Sequence, residues 1–313
     1  MNLVLTGGCG YIGTKLTEAL LADGHRVTVV DAQWFGNHLT PHPALEVLRL
    51  DVREAERIPL RGVDAVLHLA NVANDPCSEL NPKLSWEVNA LATMALVEHA
   101  IRSGVRQFIH ASSGSVYGVK QEPQVTEDLS LVPISDYNKT KMVSERVLLS
   151  YADRITLQIV RPATVCGVSP RMRLDLSVNM LTVQALQNQR ITVFGGDQIR
   201  PNITLRDMVR VYQHLLAAGP RATGIYNAGF ENLSINEIAR TVTEFVPAEV
   251  VVSPSNDPRS YRLNSDKLLA TGFAPRHTVR DAIQEVVAAY RAGALRIADD
   301  CHNVKAMKQQ GLA

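Results

Sequence analysis

The chain has 313 residues, 46% hydrophobic and 20% charged, which is enough apolar material for one large domain or a domain with a smaller lobe. A formal net charge of +1 argues against nucleic acid or an anionic membrane as the main partner, so an anionic ligand must be held by local arginines in a pocket. No stretch approaches the roughly 18 uninterrupted apolar residues of a membrane span, and the opening Met1-Asn2-Leu3-Val4-Leu5 lacks the pattern of a secretory leader. Cys9, Cys77, Cys166 and Cys301 are scattered, in no metal-ligand or Cys-x-x-Cys spacing, and read as reduced structural thiols of a cytoplasmic protein.

Residues 2–6 are an apolar run ending in glycines, which predicts a buried strand. Ile12, Leu16, Leu20 and Leu21 then recur at helical spacing, and Gly24 suits the left-handed position that closes a helix. Arg26–Asp31 reads as a second strand, and Asp51-Val52 follow a third. Strands at 63–69 and 107–111, with a helix over 86–103 between them, continue the alternation. Further strands are predicted at 156–161 and 224–228. Such alternation implies an α/β fold with a Rossmann-type doubly wound parallel sheet. Ser234 with Glu237, and Thr278 with Asp281, stand in capping-box register and mark two later helix starts. Over 167–200 and 247–273 the rhythm weakens while Pro, Arg and Asn accumulate. These stretches predict a small lobe over the sheet's carboxyl edge, where open α/β sheets bind ligands.

The loop Thr6-Gly7-Gly8-Cys9-Gly10-Tyr11-Ile12-Gly13 spaces three glycines as G-x-x-G-x-x-G between a strand and a helix. Gly7 permits the tight turn, Gly10 lets backbone approach a pyrophosphate, and Gly13 lets the helix pack on the strand. The helix N-terminus then meets the phosphate with free N–H groups and a partial positive charge. Asp31, ending the second strand, can accept from both ribose hydroxyls and would repel a 2′-phosphate, which favours NAD over NADP. Asp51 could meet the adenine.

Tyr137-Asn138-Lys139-Thr140-Lys141 is Tyr-x-x-x-Lys, with the phenol and the ammonium on one helix face. A tyrosine of unperturbed pKa about 10 is a poor base at neutral pH, and a neighbouring ammonium stabilises its phenolate. Upstream, the strand at 107–111 runs into Ser112-Ser113-Gly114-Ser115-Val116-Tyr117-Gly118, which places a hydroxyl at the carboxyl end of a central strand.

The glycine loop, Asp31, the serine strand and Tyr-x-x-x-Lys, in that order, resemble the extended short-chain dehydrogenase/reductases. Within that family the chain is similar to the NAD-dependent sugar-nucleotide epimerase/dehydratases. Segments from Thr6-Gly7 to Tyr261-Arg262 match, including His68-Leu69-Ala70-Asn71, Val88-Asn89 and Arg161-Pro162-Ala163. The resemblance implies Tyr137 as base, Lys141 as ribose ligand and field source, and Ser113 as the hydroxyl on the reacting oxygen. Ser115 would be a second contact to substrate, and Asn89 would support both site and cofactor. Around NAD it places Gly7, Gly10, Tyr11, Ile12, Gly13, Asp31, Asp51, Val52, Leu69, Ala70 and Pro162, with Tyr137 and Lys141. Asn179, Arg200 and Arg259 match positions that hold the nucleotide diphosphate, and guanidinium forks suit phosphate oxygens. Arg171 and Arg173 could reach the sugar or its phosphates, although solvated surface is the simpler reading of each, and residues 299–313 match no motif.

Two departures narrow the function. Dehydratases of the family carry Asp-Glu where this chain has Gly114 and Ser115, so elimination lacks its acid–base pair. Thr164 and Cys166 stand where relatives have Asn and Tyr, which argues for an altered sugar or carbon. The implied activity is epimerisation of a nucleotide-diphosphate sugar, most simply at C4, through a transient keto-sugar with return of the hydride. A dehydrogenase or 4-keto reductase shares these residues, and a non-catalytic NAD sensor shares the fold, although an intact Ser113, Tyr137 and Lys141 argue against the latter. The expected organisation is an NAD-binding domain over 1–166, with 201–232 returning to it, and a substrate lobe mainly from 167–200 and 233–313. Apolar stripes after Asn81 and around Tyr137 match the helices that commonly form the family's homodimer interface, although in a monomer the same stripes would face the sheet. No metal is called for.

Overall fold

The chain enters its main sheet in the middle and fills it outward in two passes. β1 (Asn2–Thr6), β2 (Arg26–Asp31) and β3 (Leu45–Arg49) build one side, and β4 (Ala65–His68), β5 (Gln107–Ala111) and β6 (Thr156–Pro162) build the other. β7 (Thr164–Cys166), β8 (Arg190–Phe194) and β9 (Ile199–Thr204) lie outside that sheet, before β10 (Gly224–Ala228) completes its far edge. β11 (Glu231–Ser234) and β12 (Glu249–Ser253) follow. The structure, a computed structural model, describes residues 1–254 and 260–313.

The seven strands run parallel in the order β10-β6-β5-β4-β1-β2-β3. This is the doubly wound sheet that the strand–helix alternation predicts. Both faces are covered, so β4 and β5 are buried along their whole length and need apolar residues on both sides. The helix Tyr11–Ala22 is held by Leu16 and Leu20, both fully buried, each contributing about 2 kcal/mol. β1 and β4 are neighbours although two strands separate them in sequence. At that reversal the connections leave in opposite directions and a crevice opens at the carboxyl ends.

The helix expected over 86–103 is present in three parts. Pro82–Trp86 and Ala92–Arg102 are α-helical, and Glu87–Leu91 between them is a turn of π-helix. The wider turn lets Asn89 reach off the helix. Its Oδ1 accepts from Val72 N at 2.8 Å, and its Nδ2 donates to Val72 O at 3.2 Å and to Thr140 Oγ1 at 3.0 Å.

The second layer combines a three-stranded sheet, β11-β9-β7, with a parallel pair, β12-β8. Helices Ser177–Asn188, Ile235–Thr243 and Val279–Arg291 enclose its core, which includes Ile191, Val193, Ile238 and Ile283. Both expected capping boxes form, Ser234 with Glu237 and Thr278 with Asp281. The strand Thr164–Cys166 belongs to this layer, and from residues 201–232 the main sheet receives Gly224–Ala228. The last helix, Asn303–Gln309, packs back on helix Asp75–Leu80 beside the first layer. Among the described residues no helix is long and apolar enough to cross a membrane.

Candidate active site

The carboxyl ends of β1 to β6 open onto a cavity of about 580 Å³. The glycine loop, Tyr11 and Ile12 line it from β1, Asp31 from β2, and Asp51 and Val52 from β3. Leu69 and Ala70 follow β4, Ser113 and Ser115 follow β5, and Pro162 ends β6. Tyr137 and Arg200 also face this space. Asn89 and Lys141 lie buried behind the wall, and so does Asn179, whose side chain bonds Gly167 N, the Tyr11 hydroxyl and Arg173 O. Arg259 lies outside the described residues.

The glycines are sterically required at two points. Gly7 has φ +75°, and a Cβ there would lie 2.6 Å from Ala70 N, so loop and β4 are in backbone contact. A Cβ on Gly13 would lie 2.2 Å from Gly7 O, which brings the helix N-terminus directly under the loop. Asp31 sits beside this cradle, accepting from Cys9 N at 2.9 Å and Gln33 N at 2.7 Å. Burial raises its pKa, and those two bonds and the Arg171 charge oppose the rise. Asp51 is bound at 2.9 Å by Arg53, which also reaches Glu87.

The helix Asp136–Leu149 starts at Ser135, whose hydroxyl caps Asn138 N at 3.2 Å and donates to Asp75. This puts Tyr137 in the first turn, facing the end of β5. The Ser113 hydroxyl lies 2.7 Å from Ser115 Oγ, which donates to Asn138 Oδ1 at 2.5 Å. Burial pushes Tyr137 up to about 12, with Asp75 adding to the rise, while Ser113 and the Arg173 charge pull it back. One turn on, Lys141 is 2% exposed and donates to Ala111 O at 2.8 Å. Burial brings its pKa down to about 7 against the pull of Glu145.

A buried polar network fixes this geometry. Arg161 holds Glu145 with two bonds, at 2.9 and 2.6 Å, and Glu145 also accepts from Ser112. Arg161 reaches the Tyr117 hydroxyl at 2.6 Å, and Tyr117 reaches Asn227 Oδ1 at 2.8 Å. One ion pair thus ties the helix Asp136–Leu149, the serine loop, β6 and β10 together. Thr140 links in a second way, donating to Tyr137 O at 2.8 Å while accepting from Asn89.

The family model of the NAD dependent epimerase/dehydratase family matches residues 3–229. The chain belongs to this family. It is 27% identical to the UDP-glucose 4-epimerase of Lactobacillus helveticus over 317 residues, covering 92% of this chain and 95% of that one. The UDP-glucuronic acid decarboxylase 1 of Danio rerio is 31% identical over 305 residues, covering 91% and 72%. Among solved structures, the UDP-glucose 4-epimerase of Thermus thermophilus in complex with NAD superposes with a TM-score of 0.82 at 27% identity, over 93% of this chain and 99% of that one.

NAD is the cofactor of this epimerase/dehydratase chain, and the residues present fit it. The glycine cradle that a Cβ would fill leaves backbone N–H groups at a helix N-terminus, which suits a pyrophosphate, and a carboxylate stands at the end of β2. Of the family departures, Thr164 faces the cavity, whereas Cys166 is buried with its thiol on Ile203 O. All four cysteines are free and buried. Among the described residues no group of three or more His, Cys, Asp or Glu side chains is placed to hold a metal ion.

Asn74 and Asp75 were not expected on the wall, and for Arg171 and Arg173 the structure decides between the two readings. Arg171 and Arg173 are not solvated surface charges. Arg171 is 3% exposed, and the Arg173 side chain is 13% exposed with its guanidinium on Asp175 through two 2.9 Å bonds. Asn74 lines the cavity at φ +76°, ψ 161°, a conformation rarely adopted outside glycine. Its amide caps Cys77 N at 3.0 Å and donates to Asp175 at 3.0 Å, and these bonds hold it there. Asp75 follows it on the wall. The run Asn74-Asp75-Pro76 is a legible helix start, an N-cap with acid and proline behind it, and would have flagged the segment.

Proposed function

We propose that the protein is an NAD-dependent epimerase of a nucleotide-diphosphate sugar, inverting C4 through a transient keto-sugar in the manner of a UDP-glucose 4-epimerase. The observation that carries this is that Ser113 and Tyr137 face the same cavity as the glycine cradle and Arg200. Tyr137 takes the proton of the sugar hydroxyl and later returns it, and Ser113 donates to the same oxygen as its charge changes. Bound NAD supplies a hydride acceptor for the carbinol carbon and a donor for its reduction. Lys141 would hold the nicotinamide ribose once its ammonium turns from Ala111 O toward the cavity, and its charge would then favour the phenolate. Asn89 and Thr140 keep the helix turn that carries Tyr137 in register.

Arg200 and Arg259 hold the diphosphate, so the sugar turns over at high effective concentration while its nucleotide stays anchored. Ser115 makes a second sugar contact. Gly114 and Ser115 provide no acid–base pair for elimination, which favours epimerisation over dehydration. The exposed Leu91 and Met94, on the π turn and the helix beyond it, support a homodimer formed through that face, which light scattering after size exclusion tests. Four free, buried thiols support a reducing compartment, the cytoplasm.

The reading is tested by incubating the enzyme with UDP-, GDP-, CDP- and dTDP-sugars without reductant and following products by NMR. Epimers without net NADH support it. Turnover only with stoichiometric reduced cofactor would overturn it in favour of a reductase.

A further inference from the structure

The segment 299–313, which carries no recognisable motif, forms part of the cavity wall. Asn303 and Val304 line it beside Trp34, Phe35 and Gly36, the loop that leaves β2 past Asp31. Arg171 joins the two. Its guanidinium lies 4.1 Å from the centroid of the Phe35 ring, and its Nη2 donates to Asn303 Oδ1 at 2.6 Å. Leu174 N donates to Cys301 O at 2.9 Å, and Asn81 Nδ2 reaches Leu312 O at 3.4 Å. Met307 is 1% exposed, in the core cluster against which Trp34 and Phe35 pack. The tail therefore fastens the β2 loop, the 171–174 turn and the start of helix Pro82–Trp86 along one side of the cavity.

That side is the Asp31 side, where a doubly wound sheet takes the adenosine half of a dinucleotide. Arg171 brings a second observation. Its Nε is buried without a hydrogen-bond acceptor although the residue lines the cavity. That atom is closed off from the cavity, so Arg171 acts there as a tie between the Phe35 ring and Asn303.

We infer that residues 299–313 form a strap across the adenosine end of the cofactor site, fastened by the Asn303–Arg171 contact, so that NAD exchanges only when the strap lifts. The inference rests on reading Asp31 as the adenosine-ribose ligand. Closure of this kind sets ligand release by the opening of a segment rather than by the contacts of the ligand alone. It also gives the epimerase a physical means of keeping one NAD through many turnovers.

The test is the rate at which bound NAD is lost from the full chain in a chase with excess etheno-NAD, read by fluorescence. Asn303→Ala, Met307→Lys and Asp31→Ala are compared with wild type, and circular dichroism confirms the fold of each. Asn303→Ala is expected to release NAD about tenfold faster, from loss of a hydrogen bond to a charged group, and Met307→Lys at least as fast. Unchanged release in both tail variants, with faster release in Asp31→Ala, would overturn the strap and leave the cofactor placement standing. Unchanged release in Asp31→Ala would overturn the placement and the strap with it. Should Met307→Lys fail to fold, hydrogen exchange decides on the wild-type protein. Amides of 303–309 gain protection on NAD binding if the strap closes over it, and equal exchange with and without NAD contradicts the inference.

Discussion

The Ser113 and Ser115 hydroxyls stand 2.7 Å apart, with Ser115 donating onward to Asn138 Oδ1 at 2.5 Å. Ser115 has one hydroxyl proton and Asn138 takes it, so the proton between the two serines belongs to Ser113. On the proposed reading that proton turns from Ser115 to the reacting oxygen, and Ser115 holds the Ser113 hydroxyl in position for the turn. Ser113→Ala is expected to lower kcat about 10²–10³-fold, the usual effect of losing one donor at a developing charge. Ser115→Ala, which removes only the orientation, is expected to cost about tenfold, a difference that steady-state kinetics on the two variants resolves.

Charges of opposite sign flank the phenol, and their removal moves its titration in opposite directions. On the proposed reading Tyr137 must lose its proton to act as base, so activity is expected to rise with pH on the acid limb of kcat/KM. Arg173 stabilises the phenolate and Asp75 destabilises it. Arg173→Leu is expected to move that limb to higher pH by about one unit, and Asp75→Asn to lower pH. A common direction in the two pH profiles would show that these residues act only on structure. Tyr137→Phe is expected to abolish turnover while NAD remains bound, which the NMR assay and the absorbance of bound cofactor check together.

Glu145 and Arg161 are 1% and 3% exposed at their side chains. Removing one partner leaves an uncompensated buried charge, so Glu145→Ala is expected to destabilise the fold by about 3–5 kcal/mol, measured by urea unfolding. Glu145→Gln keeps the shape and part of the hydrogen bonding, and falls between.

His68 lies between Thr6 Oγ1 at 2.7 Å and Thr93 Oγ1 at 2.8 Å, and burial together with the Lys141 charge lowers its pKa to about 3. His110, its ring 5.3 Å away, is lowered for the same reasons. Both are neutral when folded, whereas an unfolded histidine gains its proton below about 6.5. The unfolded state then binds more protons, so stability falls as pH drops from about 6.5 toward 3. His68→Gln should flatten that dependence by one proton, as read from the slope of unfolding free energy against pH between about 6.5 and about 5.

The glycine cradle, the parallel sheet and both capping boxes were legible because each depends on residues adjacent in sequence. Gly7 and Gly13 act within one turn, and Ser234 meets Glu237 three residues on. The π turn at Asn89 was not legible, since it is offset by bonds to Val72 and Thr140 across the fold. Arg171 and Arg173 read as surface charges for a similar reason. What buries Arg171 is Phe35 on one side and Asn303 on the other, more than a hundred residues away in each direction. Likewise Arg173 is held by Asp175, which also accepts from Asn74 in its strained conformation. Local rules cannot register contacts that exist only after the two layers have closed on each other.

The path of the hydride tests the epimerase reading most directly. The best substrate of the nucleotide-sugar panel, deuterated at C4, is incubated with enzyme as isolated and no added reductant, and the product is examined by NMR. The expected product is the C4 epimer with deuterium still at C4 and no accumulated NADH. A keto-sugar released with stoichiometric NADH, or an epimer whose C4 has lost its deuterium, would contradict it.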